Sequence, residues 1–135
     1  MEPVIVWYLR MSLIYFIVGA VIGFGMLLWP GESGYYISSH VHLNLLGFMS
    51  MMIYGVGYHI LPKFSGQHIY SPKIMTIQFW LSNAGLIGMA LIWPFVARGD
   101  LSFAPTLLIL SALLSIFSVV LFAFNILKTV KSVSM

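Results

Sequence analysis

Apolar residues in this chain come in long, nearly unbroken runs, unlike the alternating or three-and-four-spaced patterns of a water-soluble fold. Four runs are long enough to cross a hydrocarbon core of about 30 Å as helices: Met11 to Trp29, Ile37 to Leu61, Ile74 to Trp93 and Leu101 to Leu127. The breaks fall where punctuating residues gather. Pro30 and Gly31 close the first run, Pro62 and Lys63 the second, the stretch from Pro94 to Asp100 the third, and Lys128 the fourth. The pattern predicts an all-α fold, an integral membrane four-helix bundle forming one transmembrane domain over residues 1–135. Glu2 and Pro3 precede the first run and no small-residue cleavage site follows it, so it reads as a retained span and not as a signal peptide.

Composition agrees: 61 % of the residues are hydrophobic and 7 % charged, with a mean hydropathy of +1.02. The few cations are unevenly placed. Arg10, Lys63, Lys73, Lys128 and Lys131 fall on one side of the expected bundle and Arg98 on the other. The positive-inside bias then puts both termini in the cytoplasm, in a multi-pass protein of the cell's inner (cytoplasmic) membrane. Trp29, Tyr35, Tyr36 and Trp93 read as an outer aromatic belt, with Trp7, Tyr58 and Tyr70 near the inner one. Topology accounts for the net charge of +3, which therefore does not argue for nucleic acid. The chain has no cysteine, which excludes disulfides, thiolate metal sites and covalent heme attachment.

Small residues mark where helices approach closely. Gly19 and Gly23, with Gly25 nearby, lie on the first span, and Ala84, Gly85 and Gly88 on the third. The last span, rich in Leu, Ile, Val, Phe and small Ser, reads as a packing helix.

The second span, "ISSHVHLNLLGFMSMMIYGVGYHILP", carries the chemistry. On a regular helix His40 and His42 are about 200° apart, so they face opposite ways and cannot grip one ion. His40 shares its stripe with Asn44, Gly47, Met51, Tyr54 and Tyr58, the kind of polar and small surface that faces other helices, and reads as a hydrogen-bonded histidine. His42 lies over Leu45, Leu46, Met49, Ile53 and Val56, with no polar neighbour one turn below. An unsatisfied imidazole facing lipid costs a few kcal/mol. Over an apolar stripe it suits a heme, which takes an axial nitrogen and packs its porphyrin on aliphatic side chains. From the residues alone, ligand and satisfied core histidine both stand as readings of His42. His59 is roughly 25 Å further along the helix and reads as reaching for the opposite interface, with metal binding as its lesser reading. His68, in the polar loop "KFSGQHIYSPK", reads as solvated.

The segment "HLNLLGF" followed by "YGVGYHILP" resembles the second transmembrane helix of subunit I in the heme-copper oxidase superfamily, in its nitric oxide reductase and C-type oxidase branches; "FWLSNAGLIGMALIWP" adds weaker similarity. The resemblance implies that His42, followed by Asn44, stands where that family ligates a low-spin heme b, with His40 as an extra residue. It implies electron transfer or heme or gas binding, and a respiratory complex as setting. The departures are equally informative. No span after Leu61 contains a histidine, so the family's heme-copper reaction centre cannot be built from one copy. Autonomous oxygen or nitric oxide reduction is therefore not expected.

A second axial ligand could come from the His42 of another copy in a two-fold homo-oligomer sharing the heme, or from Met26 or Met89, at depths similar to His42. The expected cofactor surface thus comprises His42, His40, Asn44, Leu46, Met49, Met26 and Met89, with respiratory subunits, membrane lipid and a quinone near Tyr58 and His59 as candidate partners. Two other functions are expected to compete. One is copper or heme handling, in which an extended "HVH" lets His40 and His42 converge with methionines on copper. The other is a structural subunit without a cofactor.

Overall fold

The computed structural model describes residues 1–130, which form four long helices. Pro3 opens α1 (Pro3–Leu28), where its fixed φ and missing N–H suit a first turn. α1 buries Ile5, Tyr8, Ser12, Tyr15 and Gly19, a single seam spaced three and four residues apart, and leaves most of its other apolar residues exposed. The helix starts eight residues ahead of the Met11 boundary expected from hydropathy. Arg10 interrupts the apolar run but not the helix, because its long side chain lies outside, over the Trp7 ring at 5.3 Å.

α2 (Pro30–Phe64) opens with a single 3₁₀ turn at Pro30–Glu32 and continues as α-helix over Ser33–His42. It widens to a π-helix over Leu43–Ser50 and returns to α-helix over Met51–Phe64. Gly66, at φ +61°, ends it, with the Gln67 N–H returning to the Pro62 carbonyl at 2.9 Å. α3 (Pro72–Arg98) is capped by the Ser71 hydroxyl, which accepts from the Ile74 N–H, and closes at Gly99 (φ +74°). α4 runs over Ala104–Thr129. Each helix is long and apolar enough to cross a membrane. Among the described residues there is no strand.

Two prolines expected to close spans do not. Pro62 and Pro94 lie inside α2 and α3, both buried, and at Pro94 the freed Ala90 carbonyl accepts from the Ser39 hydroxyl of α2 at 2.7 Å. The second and third spans consequently extend past Leu61 and Trp93, and the fourth is displaced, starting at Ala104 in place of Leu101.

At one end of the bundle, here called the terminal end, the start of α1, the α2–α3 loop and the end of α4 come together. The Tyr70 and Ser71 N–H groups donate to Thr129 Oγ1 and Asn125 Oδ1, each at 3.0 Å. At the far end the Arg98 guanidinium donates to Glu32 (2.9 Å) and to the Tyr36 hydroxyl (3.1 Å), and lies 4.8 Å from the Tyr35 ring. Lys131 lies outside the described residues.

The core centres on Tyr8, which is fully enclosed by Tyr54, Tyr58 and Phe79. Its hydroxyl donates to Gln78 Oε1, with the Met75 carbonyl also in reach at 3.1 Å. Tyr58, expected in an interfacial belt, is a core residue: its ring packs on Tyr8 and Phe122, and its hydroxyl accepts from Asn125 Nδ2 at 3.5 Å. α4 joins α3 through a seam of small and polar groups, Ala104, Ser111, Ser118 and Asn125, seven residues apart and all buried. Gln78, Ser82 and Ser118 hydrogen-bond one another across this seam. Gly85 and Gly88 let α4 approach, since a Cβ on either would strike Ser111, and at Gly85 Ser115 as well. Ala84, expected with them, is exposed and plays no part.

Candidate functional site

The two opening histidines of α2 are held by different helices. His40 turns onto α1, where its Nδ1 lies 2.8 Å from the Gly19 carbonyl. A carbonyl oxygen can only accept, so this nitrogen carries the proton. The 3.4 Å approach of Asn44 Nδ2 to the same nitrogen is then donor facing donor, and the amide's bond is the one to the His40 carbonyl at 2.8 Å. Both side chains occupy room left by glycines. A Cβ on Gly19 would meet Asn44 Nδ2, and one on Gly23 would meet His40 Cε1, each at 2.7 Å. The small-residue pair read as a helix contact therefore receives two polar side chains.

His42 is anchored within its own helix. Its Nδ1 lies 2.6 Å from the Ser38 carbonyl one turn back, which makes Nδ1 the N–H and leaves the Nε2 lone pair without a partner among the described residues. Its ring lies against Trp93 of α3, with centroids 5.5 Å apart and planes 30° apart. Trp93, expected as an interfacial anchor, is thus a half-buried partner of this imidazole. The absence of a polar neighbour one turn below His42 had suggested an unsatisfied ring. The satisfied atom instead lies one turn above.

Below His42 the helix changes pitch. In the π segment each turn takes an extra residue, and the Ser50 hydroxyl donates five residues back to the Leu45 carbonyl at 2.9 Å. Gly47, inside this segment, faces Tyr15 and Leu86, where a Cβ would come within 3.0 Å of each. The polar stripe from His40 through Gly47, Met51, Tyr54 and Tyr58 is buried or half-buried as its pattern requires. The opposite stripe is open: Leu45, Met49, Ile53 and Val56 are 40–53 % exposed. Leu46, between the stripes, is half-buried beside Tyr54, Ser82 and Ser115.

The remaining candidates are dispersed. Met89 lies one turn before Trp93 on the buried face of α3 and is 4 % exposed. Met26 borders a far-end cavity of about 320 Å³ with Trp29, Glu32 and Tyr36. His59 accepts at Nε2 from the Lys63 ammonium at 2.9 Å. It lines a terminal-end cavity of about 570 Å³ together with His68, which is exposed as expected but shares this cavity.

Among the described residues there is no group of three or more His, Cys, Asp or Glu side chains that could hold a metal. The extended "HVH" needed for His40 and His42 to converge on copper is not formed, because both lie in α-helix beginning at Ser33 and turn to different neighbours. An axial heme ligand makes lighter demands: one imidazole nitrogen with a free lone pair, the other ring N–H fixed by a carbonyl, and apolar surface beside it. His42 meets these three. His40 shares the carbonyl-held Nδ1–H, but its ring packs on α1 at Gly23, on the face opposite the open aliphatic stripe, and so lacks the third.

No family model, curated protein or solved structure matches the chain.

Proposed function

We propose that the chain is a multi-pass membrane protein of the inner membrane, with both termini cytoplasmic, that binds heme b through His42 and transfers electrons, or binds heme or a gas, as an oligomer or within a respiratory assembly. The observation that carries this reading is the orientation of His42. Its Nδ1–H is held by the Ser38 carbonyl and its Nε2 lone pair has no partner among the described residues, on a helix whose Leu45–Val56 stripe is open. A bound heme supplies reversible one-electron chemistry at its iron. The chain's own contribution is to fix the ring and its tautomer, to set Trp93 against one side, and to keep water away with aliphatic side chains.

Were heme bound, a second ligand would come most readily from the His42 of a neighbouring copy across a two-fold axis beside the open stripe; Met89 would have to leave the core, and Met26 lines the far-end cavity. A quinone near Tyr58 and His59 is a less supported partner, since Tyr58 is enclosed and His59 Nε2 is taken by Lys63.

The test is spectroscopic. Protein purified from membranes, or reconstituted with heme, should show a reduced-minus-oxidised b-type α band. His42→Ala should abolish it, while His40→Ala and His59→Ala should keep it. Absence of heme after reconstitution, or equal loss in all three variants, overturns the assignment.

A further inference from the structure

The 570 Å³ cavity at the terminal end lies in the range of about 300–1,000 Å³ usual for small-molecule sites and is amphiphilic in a particular way. Ile5 and Ile69 give it an apolar side, while Lys63, His68, Gln67 and Glu2 give it polar groups of both signs. Lys63 is held in place by His59 Nε2, which takes one of its three N–H donors and leaves two for a ligand. Glu2 lines the same cavity without an ion-pair partner among the described residues; the salt bridge found there is Arg98 with Glu32 at the far end. A cation and an anion therefore border one cavity without neutralising each other.

A ligand that satisfies both carries an anionic and a hydrogen-bonding cationic group joined by a short linker, with an apolar portion to lie against Ile5 and Ile69. We propose that this cavity holds the phosphoethanolamine headgroup of a membrane phospholipid, its phosphate on Lys63 and His68 and its ammonium on Glu2. The proposal rests on the membrane reading above and is independent of heme. The site lies where the bundle meets the headgroup layer, where basic pockets between helices take phosphate head groups. Glu2 adds the discrimination, because an ethanolamine ammonium gives a carboxylate a charge-assisted hydrogen bond, which the neutral hydroxyls of phosphatidylglycerol give more weakly and the N–H-free choline ammonium cannot give.

The experiment is native mass spectrometry of the full chain in detergent after exposure to phosphatidylethanolamine, phosphatidylglycerol or phosphatidylcholine, with inorganic phosphate as competitor. Phosphatidylethanolamine should be retained about tenfold better than either other lipid, the scale of one charge-assisted hydrogen bond. Glu2→Gln should remove that preference, Lys63→Gln should weaken all three lipids, and inorganic phosphate should displace none. Equal retention of the three lipids, an unchanged preference in Glu2→Gln, or displacement by inorganic phosphate each overturns the proposal. Recovery of the protein in the membrane fraction, scored separately, tests the membrane reading by itself.

Discussion

Replacing Gly23 by alanine places a methyl group 2.7 Å from His40 Cε1, where carbon atoms in contact stay about 3.5–4.0 Å apart. The imidazole must retreat by about 1 Å to restore contact distance. The 2.8 Å approach of its Nδ1 to the Gly19 carbonyl cannot survive that movement. Overpacking costs about 1–3 kcal/mol, and a hydrogen bond between membrane helices contributes about 0.6–1.7 kcal/mol. Against these, alanine is favoured over glycine in a helix by about 0.5–1 kcal/mol. The net expectation is a destabilisation of about 2 kcal/mol. Gly25, two residues on, supplies the control, because a Cβ there meets nothing within 4 Å. Gly25→Ala should be neutral or stabilising by up to about 1 kcal/mol. Reversible unfolding in mixed micelles, followed by far-ultraviolet circular dichroism, measures both. Gly23→Ala as stable as the parent, or the two variants equally destabilised, would refute the packing of His40 on Gly23. The proposed heme binding at His42 should be unchanged in either variant, since its anchor is the Ser38 carbonyl of its own helix.

Tyr8→Phe strips the fully buried Gln78 of the donor to its Oε1 and should cost about 1–2 kcal/mol. Tyr8→Phe with Gln78→Leu should cost less than the sum of the single changes, and strict additivity in the same unfolding assay would argue against the bond. Asn125→Ala unseats both the N–H and the carbonyl of Ser71, each 3.0 Å from the amide, and should cost about 2 kcal/mol. Ser115→Ala, by contrast, removes a buried hydroxyl with no partner among the described residues and should leave stability equal or up to about 1 kcal/mol higher. The absence of cysteine makes topology directly testable: Phe64→Cys should be sheltered from a membrane-impermeant maleimide in intact cells and Asp100→Cys labelled, and the reverse result would invert the orientation.

Much of the architecture was legible because unbroken hydropathy says little about packing but much about length. The four helices follow from it, while their ends do not. Pro62 and Pro94 look like terminators in sequence, and only the neighbouring helices let the backbone continue through them. The two faces of α2 were also legible, because the three-and-four spacing of Asn44, Gly47, Met51, Tyr54 and Tyr58 is that of a buried seam. The π turns were not, since no side-chain pattern announces where a helix widens. The partners of the histidines were equally hidden: Gly19, Ser38 and Lys63 contribute carbonyls and an ammonium that hydropathy does not weigh. The polar seam of α4 had a sequence signal that apolar abundance masked, namely Ser111, Ser118 and Asn125 at seven-residue intervals. The terminal-end cavity was missed because His59, His68 and Glu2 are distant in sequence and meet only when three chain segments converge.

That seam also decides which surface is left for a partner. A helix as apolar as α4 could have packed on any neighbour, but its buried Ser118 and Asn125 find partners at Gln78 and Ser82 of α3 and at Ser71, which caps it, while Ser111 donates within α4 to the Leu107 carbonyl. Gly85 and Gly88 reinforce the choice by admitting Ser111 and Ser115 at close range. With α4 committed there, it meets α2 through Phe122 against Tyr54 and Tyr58 and through Asn125 at the Tyr58 hydroxyl. The stripe of Leu45, Met49, Ile53 and Val56 stays open. Lipid acyl chains can cover aliphatic side chains, but they offer no donor to an imidazole lone pair. Within the proposed membrane setting, the stripe and His42 Nε2 together are therefore matched by a partner that is apolar over most of its area and electrophilic at one point. The heme proposed above would supply that combination, and a second copy of α2 alone would supply only half of it.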